Sequence, residues 1–389
     1  VDNAMGKVKM VYDVARKHFP FLLIGDYNYV VDYTKPDYKN RFYAIAKDAL
    51  LNEKYQDMHL ASYYHILDAT AFDMMRIGLD TLTKPYYPMV AVDGAGSYLT
   101  KDEVLTPPRF RMMCLNAAVT GCPGVAIYPG ERLDGMFYLA ADRVMAEIAA
   151  VEDYCLDGKL IPGPTVTVLP FRTVTTQAGG KEMTLNYPRW EQFFRHNTRE
   201  LGQNRLISLL NHHTELTAYV EIALDPTWAK AIIRDTITKT VYAVPAGATT
   251  LLVPVPPRDA RLLEVTNDAD NTTGFTPAPS QEDIKAAFQR DAKAFTGGPK
   301  QSAFKPQKGG DLELAFTDHD SDGILELAMI TPNQKLIIDA EHGGGILDWQ
   351  AGDIRLCPDY SRSQIIAESR LWTPKAARSD ASAKLPCQV

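Results

Sequence analysis

Over its first 158 residues the chain alternates two hydrophobic periods. Asp2 to His18 sets Val8, Met10, Val11 and Val14 at helical spacing, and the short apolar run Phe21-Leu22-Leu23-Ile24 reads as a buried parallel strand. The alternation continues with a helix over Tyr38–Leu51, a strand over His59–Tyr64, and a helix over Ala69–Leu82 whose Phe72, Met75, Ile77 and Leu79 can cover a sheet. A strand over Pro88–Asp93, a helix over Pro108–Val119, a strand over Gly124–Tyr128 and a long helix over Met136–Tyr154 complete it. Strands separated by helices at this spacing predict βαβ units and a parallel sheet. Four such units after a leading helix make half of an eight-stranded (β/α) barrel. The alternative is a small open α/β sheet complete in itself, but no strand-to-helix turn carries the Gly-rich loop of a nucleotide fold.

After Gly158 the period shortens. Thr165–Leu169, Arg205–Asn211, Thr217–Leu224, Thr240–Val244 and Thr249–Val255 are β-rich runs punctuated by Gly, Pro and Asn, the pattern of a β-sandwich. A polar connector then holds one helix, Gln281–Ala294, with Ser280 as its N-cap. Strands return as Leu312–Phe316, Ile324–Ile330 and Lys335–Asp339. The predicted class is α/β followed by all-β: a partial (β/α) TIM-type barrel over 1–158, a β-sandwich over 159–266, a linker with one helix over 267–308, a small β-rich module over 309–375 and a tail over 376–389.

The charge of −7 and the lack of a long Lys/Arg cluster argue against nucleic acid or an anionic membrane as the main partner. No apolar run reaches the ~18 residues of a membrane span. The five cysteines, Cys114, Cys122, Cys155, Cys357 and Cys387, are too dispersed for a disulfide framework, and none forms a C-x-x-C pair.

Several stretches resemble carbohydrate-active enzymes built from a barrel and C-terminal β domains. Gly124-Val125-Ala126-Ile127-Tyr128-Pro129-Gly130-Glu131, with Leu133-Asp134-Gly135 and the helix bearing Arg143 and Glu147, looks like the last strand and helix of a glycoside-hydrolase barrel. Arg205–Asn211 with Ala218-Tyr219-Val220-Glu221 resembles the small β-sandwich that often follows it. Asp318–Gly323, Leu336–Asp339 and Glu341–Gly345 are similar to the C-terminal region of α-amylase and 4-α-glucanotransferase relatives. The resemblance implies a glycoside hydrolase acting on a polysaccharide or oligosaccharide outside the cytoplasm, secreted or periplasmic. A catalytically inactive carbohydrate-binding or structural protein on the same scaffold is the alternative. It also implies that the four strands are the last four of the barrel, so that an N-terminal barrel-half segment, a sister chain or a homo-oligomer partner covers the open side.

Glycoside hydrolysis needs two carboxyl groups about 5 to 10 Å apart, projecting in a barrel from C-terminal strand ends. Asp93, after the third strand and before Gly94-Ala95-Gly96, is the first candidate, as nucleophile or base; capping a loop through backbone hydrogen bonds is its structural alternative. Glu131 follows the fourth strand and equally suits pairing with Arg132 or a helix cap. Asp26 stands with Tyr27, Asn28 and Tyr29, a mixture of rings, acid and amide that suits sugar faces and hydroxyls or simple packing. Tyr63, Tyr64 and His65 repeat the theme after the second strand, and Tyr128 closes the fourth. No cofactor is required. Asp318, Asp320 and Asp322 before Gly323 begin like a calcium loop, but Met329 replaces the closing Glu of an EF-hand, which leaves a structural calcium or a polar turn. His212-His213 would point to opposite faces of a strand and not converge on one metal.

Overall fold

The computed structural model describes residues 2–21, 23, 25–28, 53–62, 68–91, 106–128, 135–178, 181–228, 231–245, 247–267, 272–296, 307–317, 326–339 and 345–357. Helix α1 (Asp2–His18) leads into β1 (Gly25–Asn28), followed by β2 (Met58–Ser62), α2 (Asp68–Thr81), β3 (Tyr86–Ala91), α3 (Pro107–Thr120), β4 (Ala126–Tyr128), α4 (Gly135–Ala149) and α5 (Glu152–Leu156). The four strands form one parallel sheet in the order β1-β2-β3-β4. Sequential order without reversal is what successive right-handed crossovers produce, and it lacks the switch point of a doubly wound sheet.

Helix α3 is the centre of the molecule. Thr106 caps it, accepting from the Arg109 N–H at 3.4 Å, Pro107 and Pro108 open its first turn, and Gly121 ends it in the left-handed region at φ 98°. Phe110 to Thr120 are all buried, because layers cover it on both sides. On one side stand Tyr86 and Val90 of β3; on the other stand Leu206, Leu210, Ala260 and Leu262.

Those last residues belong to a seven-stranded sheet. Its strands are β5 (Lys159–Ile161), β9 (Phe194–Leu201), β10 (Asn204–Asn211), β12 (Ile232–Asp235), β13 (Thr240–Tyr242), β15 (Asp259–Thr266) and β16 (Thr276–Pro277), in the order β16-β13-β12-β15-β10-β9-β5. Alternation along β10 divides it between two cores. Leu206 and Leu210 join α3, whereas Ile207 and Leu209 join Val220, Ile222, Leu251 and Val253 of a three-stranded sheet made of β6 (Val166–Val168), β11 (Ala218–Ala223) and β14 (Thr250–Val255). Helices, large sheet and small sheet are thus three consecutive layers.

A hairpin of β7 (Arg172–Ala178) and β8 (Lys181–Tyr187) and the short helix α6 (Trp190–Phe193) precede β9. Helix α7 (Gln281–Ala294) packs on the small sheet. Its Gln281 side chain accepts from Leu252 N–H at 2.8 Å and donates to Leu252 C=O at 3.1 Å, so an amide occupies the free edge of β14. The last of the described residues form a six-stranded antiparallel meander: β17 (Gln307–Gly309), β18 (Leu312–Thr317), β19 (Glu326–Thr331), β20 (Gln334–Asp339), β21 (Gly345–Ala351) and β22 (Ile354–Cys357).

Two expectations need correction. The first strand is Gly25–Asn28, not Phe21–Ile24: Phe21 is 96% exposed and Leu23 70%, so neither is buried in the sheet, and Leu22 and Ile24 lie outside the described residues. The helix expected over Met136–Tyr154 is two, α4 and α5, separated at Ala150 and Val151, where the Val151 N–H bonds to the Ile148 carbonyl and the chain turns. The expected helix over Tyr38–Leu51 lies outside the described residues.

Candidate functional site

Because β1 to β4 run parallel, their C-terminal ends, Asn28, Ser62, Ala91 and Tyr128, share one edge of the sheet. Ligand sites in parallel α/β folds form at that edge, where loops leave the strands. The backbone of Asp26, Tyr27 and Asn28 lies in β1, in register with His59, Leu60 and Ala61, and the backbone of Tyr128 closes β4 opposite Ala91. In sequence Tyr29 directly follows β1, Tyr63, Tyr64 and His65 follow β2, Asp93 comes two residues after β3 and Glu131 three after β4. Tyr29, Tyr63, Tyr64, His65, Asp93 and Glu131 lie outside the described residues, as do Asp318, Asp320 and Asp322.

The opposite edge carries a polar cluster that the sequence reading missed. His59, completely buried at the start of β2, faces Glu53 Oε1 through Nε2 at 2.8 Å and Gln56 Nε2 through Nδ1 at 2.9 Å. A carboxylate only accepts, so Nε2 carries the proton and Nδ1 accepts from the Gln56 amide. Glu53 Oε1 also accepts from the N–H groups of Thr83 (2.8 Å) and Lys84 (3.1 Å), and the Thr83 hydroxyl donates to Oε2. Burial pushes the Glu53 carboxyl up, but these donors outweigh it and hold it down at about 2. A carboxylate so fully bonded, at the N-terminal edge, ties the β2–β3 connection together.

A second network crosses between layers. Arg143 and Arg111 both bond Glu147, at 2.9 and 2.6 Å, and Arg111 reaches Asp259 of β15 at 2.8 Å. Arg261 continues the chain of charges, 3.2 Å from Asp259 and 3.3 Å from the completely buried Asp235. Burial raises the Asp235 carboxyl above its usual range, against the pull of Arg261 and of the Thr238 hydroxyl. The Arg143–Glu147 pair is therefore the exposed end of a ladder that runs from α4 through α3 to β15 and β12 of the large sheet.

Strand β9 supplies a third set. Arg195, Asn197 and Arg199, two residues apart, face the helices together. Arg195 forks onto Asp73 of α2 at 2.8 and 3.0 Å, Asn197 donates to Val119 C=O at 2.8 Å, and Arg199 donates to the carbonyls of Val119, Thr120 and Gly158 at 2.9, 2.6 and 2.7 Å. The alternating polar triplet in Phe194–Leu201 was the available signal, and it reads as a loop when hydrophobic period alone is scored.

His213 accepts at Nδ1 from the N–H groups of Glu215 and Leu216, both at 3.1 Å, and its ring lies against Phe193. It fixes a turn. Among the described residues no group of three or more His, Cys, Asp or Glu is arranged to hold a metal. Hollows formed by described residues include one of about 250 Å³ between Phe72, Arg76, Leu160 and His196, and one of about 100 Å³ beside Arg205 and Trp228. Neither is lined by a carboxylate, so neither offers the paired acid chemistry sought at the strand ends. No helix among the described residues is long and apolar enough to cross a membrane.

No family model matches the chain, and no curated protein matches it. Solved structures similar to it include a cyclomaltodextrin glucanotransferase with a three-domain arrangement, at 10% identity and a TM-score of 0.33, over 65% of this chain and 58% of that one. They include a noncanonic maltogenic α-amylase from Thermotoga neapolitana, at 10% identity and a TM-score of 0.35, over 68% of this chain and 66% of that one. A thermostable GH51 α-L-arabinofuranosidase from Thermotoga petrophila is 11% identical at a TM-score of 0.34, over 68% of this chain and 62% of its own. The chain spans less than two thirds of the length of each of these three proteins. These neighbours are glycoside hydrolases and related enzymes, but similarity at this level does not establish a shared activity.

Proposed function

We propose that this chain is a glycoside-hydrolase-like protein that acts on a polysaccharide or oligosaccharide by carboxylate acid/base chemistry. The reaction edge is the one shared by the C-terminal ends of β1 to β4. One observation carries the reading: four parallel strands in sequential order bring the segments beginning at Asn28, Ser62, Ala91 and Tyr128 to a common edge, and the sequence at or just beyond those ends holds Asp26, Asp93 and Glu131 among Tyr27, Asn28, Tyr29, Tyr63, Tyr64, His65 and Tyr128. Asp93 is the nucleophile or base, Glu131 and Asp26 are the other acids of the site, and the tyrosines with Asn28 and His65 contact sugar. The reading extends to half a (β/α) barrel over 1–158, a β-sandwich over 159–266, a linker over 267–308 and a β module over 309–375. A structural calcium at Asp318, Asp320 and Asp322 belongs to it, since that acidic run joins the paired strands β18 and β19, and so does a secreted or periplasmic location.

The test is a hydrolysis screen over aryl glycosides and soluble polysaccharides with the wild type and Asp93→Asn, Glu131→Gln and Asp26→Asn. The reading expects turnover that falls by about a thousandfold or more in Asp93→Asn while polysaccharide binding persists. Turnover unchanged in all three variants overturns the assignment of the edge. Binding without turnover in the wild type favours the non-catalytic carbohydrate-binding protein.

A further inference from the structure

The hollow of about 250 Å³ lies between α2 and the last two strands of the large sheet, β9 and β5. Strand β5 stops at Ile161, opposite Thr198, and Pro162 has no N–H to continue the ladder. Phe72 of α2 with Leu160 and Ile161 of β5 gives the hollow apolar walls, and no carboxylate lines it. The side-chain oxygens of Asn197 and Thr198 on the same wall are enclosed, the Thr198 hydroxyl behind Gly163, where a Cβ would stand 2.1 Å from it. The polar groups open to the hollow are therefore donors: the Arg76 guanidinium and the His196 ring. Arg76 gives Nη1 to the Thr120 carbonyl at 3.3 Å and Nη2 to Asp80 at 2.8 Å, which leaves it N–H groups to spare. Charge around the hollow is out of balance. Arg195 is matched by Asp73, Arg76 by an Asp80 side chain that is 59% exposed, and Arg199 by main-chain carbonyls alone, so three cations stand against two carboxylates. Arg76 and Arg199 share the Thr120 carbonyl, which puts the two guanidinium groups side by side. The end of α3 offsets part of the Arg199 charge, and the remainder favours an anion.

We propose that this hollow binds a small carboxylate with an apolar body, its head on the Arg76 guanidinium and its body against Phe72, Leu160 and Ile161. The planar guanidinium fork matches a carboxylate and forms its strongest hydrogen bonds with one. A cation would meet Arg76 and find no acid. The present partner of Arg76 is a weak competitor, because an ion pair with so exposed a carboxylate contributes little. Size limits the ligand to one ring or one branched chain, since clefts for drug-sized molecules measure about 300 to 1,000 Å³. Partial burial and the neighbouring Arg195 charge hold the His196 imidazole below its usual range, so at neutral pH it serves as an uncharged donor beside the head group. The proposal rests on no part of the carbohydrate reading, which concerns the strand-end edge.

Titration calorimetry of the full chain at low salt tests it, with benzoate as the probe and benzyl alcohol and acetate as controls. Benzoate binds with a dissociation constant on the order of 1 mM. Benzyl alcohol, which lacks the charge, and acetate, which lacks the body, each bind at least about tenfold more weakly. Arg76→Gln weakens benzoate by about tenfold or more. Asp80→Asn tightens it about fivefold by removing the competing carboxylate, a gain that damage to the fold would not produce. Leu160 is 37% exposed, so Leu160→Glu is tolerated and abolishes binding by placing an acid beside Arg76, whereas Leu160→Gln keeps part of it. No benzoate binding overturns the proposal. Equal binding of benzoate and benzyl alcohol overturns the anion, and benzoate binding indifferent to Arg76→Gln, Asp80→Asn and Leu160→Glu overturns the place.

Discussion

Arg199 of β9 donates to the main-chain carbonyls of Val119 and Thr120, so a strand of the large sheet closes the C-terminal end of the central helix. The negative end of the α3 dipole and its unpaired carbonyls meet a cation there. Gly121 makes the approach possible, since a Cβ on it would stand 2.1 Å from Arg199 Nη2.

This relationship predicts coupling between the two positions. Arg199→Met removes charge-assisted bonds to the Val119, Thr120 and Gly158 carbonyls, the first two of which keep only Asn197 and Arg76 as side-chain donors, and costs about 2 kcal/mol. Gly121→Ala costs a similar amount, through the clash and through its φ of 98°. With the guanidinium gone, only the backbone strain remains, so the double variant is less destabilised than the sum of the singles. Urea unfolding of the four proteins measures the cycle; strict additivity would contradict the contact.

Glu53 gives the chain a pH dependence of known sign. Its carboxyl is held at about 2 in the folded protein against 4.5 ordinarily, so the unfolded chain binds the proton first. The stabilisation is complete above 4.5 and is lost as pH falls from about 4.5 toward 2. In Glu53→Gln the urea midpoint is lower at neutral pH and flatter across that window than in the wild type. Parallel curves for the two proteins would count against the network.

Much of the element order was legible because tertiary packing agrees with local pattern. Ser280 accepts from the Asp283 N–H and opens α7 where the sequence placed it, and α1 spans Asp2–His18 as expected. The misses have physical causes. Phe21-Leu22-Leu23-Ile24 is more apolar than the strand that follows, yet Gly25-Asp26-Tyr27-Asn28 forms the β1 ladder, because register with Met58–Ala61 and not hydrophobicity sets where pairing starts. Strand β9 escaped notice because its helix-facing positions are Arg195, Asn197 and Arg199, bonded to carbonyls and a carboxylate that sequence spacing cannot display. Of the candidate edge, the alignment of strand ends was readable, whereas pairing partners such as Asp259 for Arg111 lie 148 residues apart.

The buried thiols offer a third check. Cys114, Cys122 and Cys155 are unbridged and enclosed, and burial pushes the first two up to about 12 and the third to about 11. The thiolate is the reactive form, so these three resist an aromatic disulfide reagent at neutral pH until the chain unfolds. In Cys357→Ser/Cys387→Ser, which retains only them, labelling follows the unfolding transition. Rapid labelling of that variant under native conditions would show that the helix layer opens independently.

Arg111 joins α4 to β15 through Glu147 and Asp259, so its loss should loosen the joint between the helix layer and the large sheet. Arg111→Ala takes one partner from both Glu147 and Asp259, leaves each with its second, Arg143 and Arg261, and costs about 3 kcal/mol. Adding Glu147→Gln and Asp259→Asn removes the two carboxylates left with one cation each and recovers part of that loss, because desolvation that Arg111 no longer offsets contributes to the cost. Thermal unfolding followed both by near-UV signal from Trp190 and Trp228 and by far-UV helix signal reads the joint. In the wild type the two transitions coincide, since α3 shares one core with β10 and β15. In Arg111→Ala the helix signal is lost first. Coincident transitions with unchanged stability would show that apolar packing around Leu206 and Leu262 alone holds the layers together.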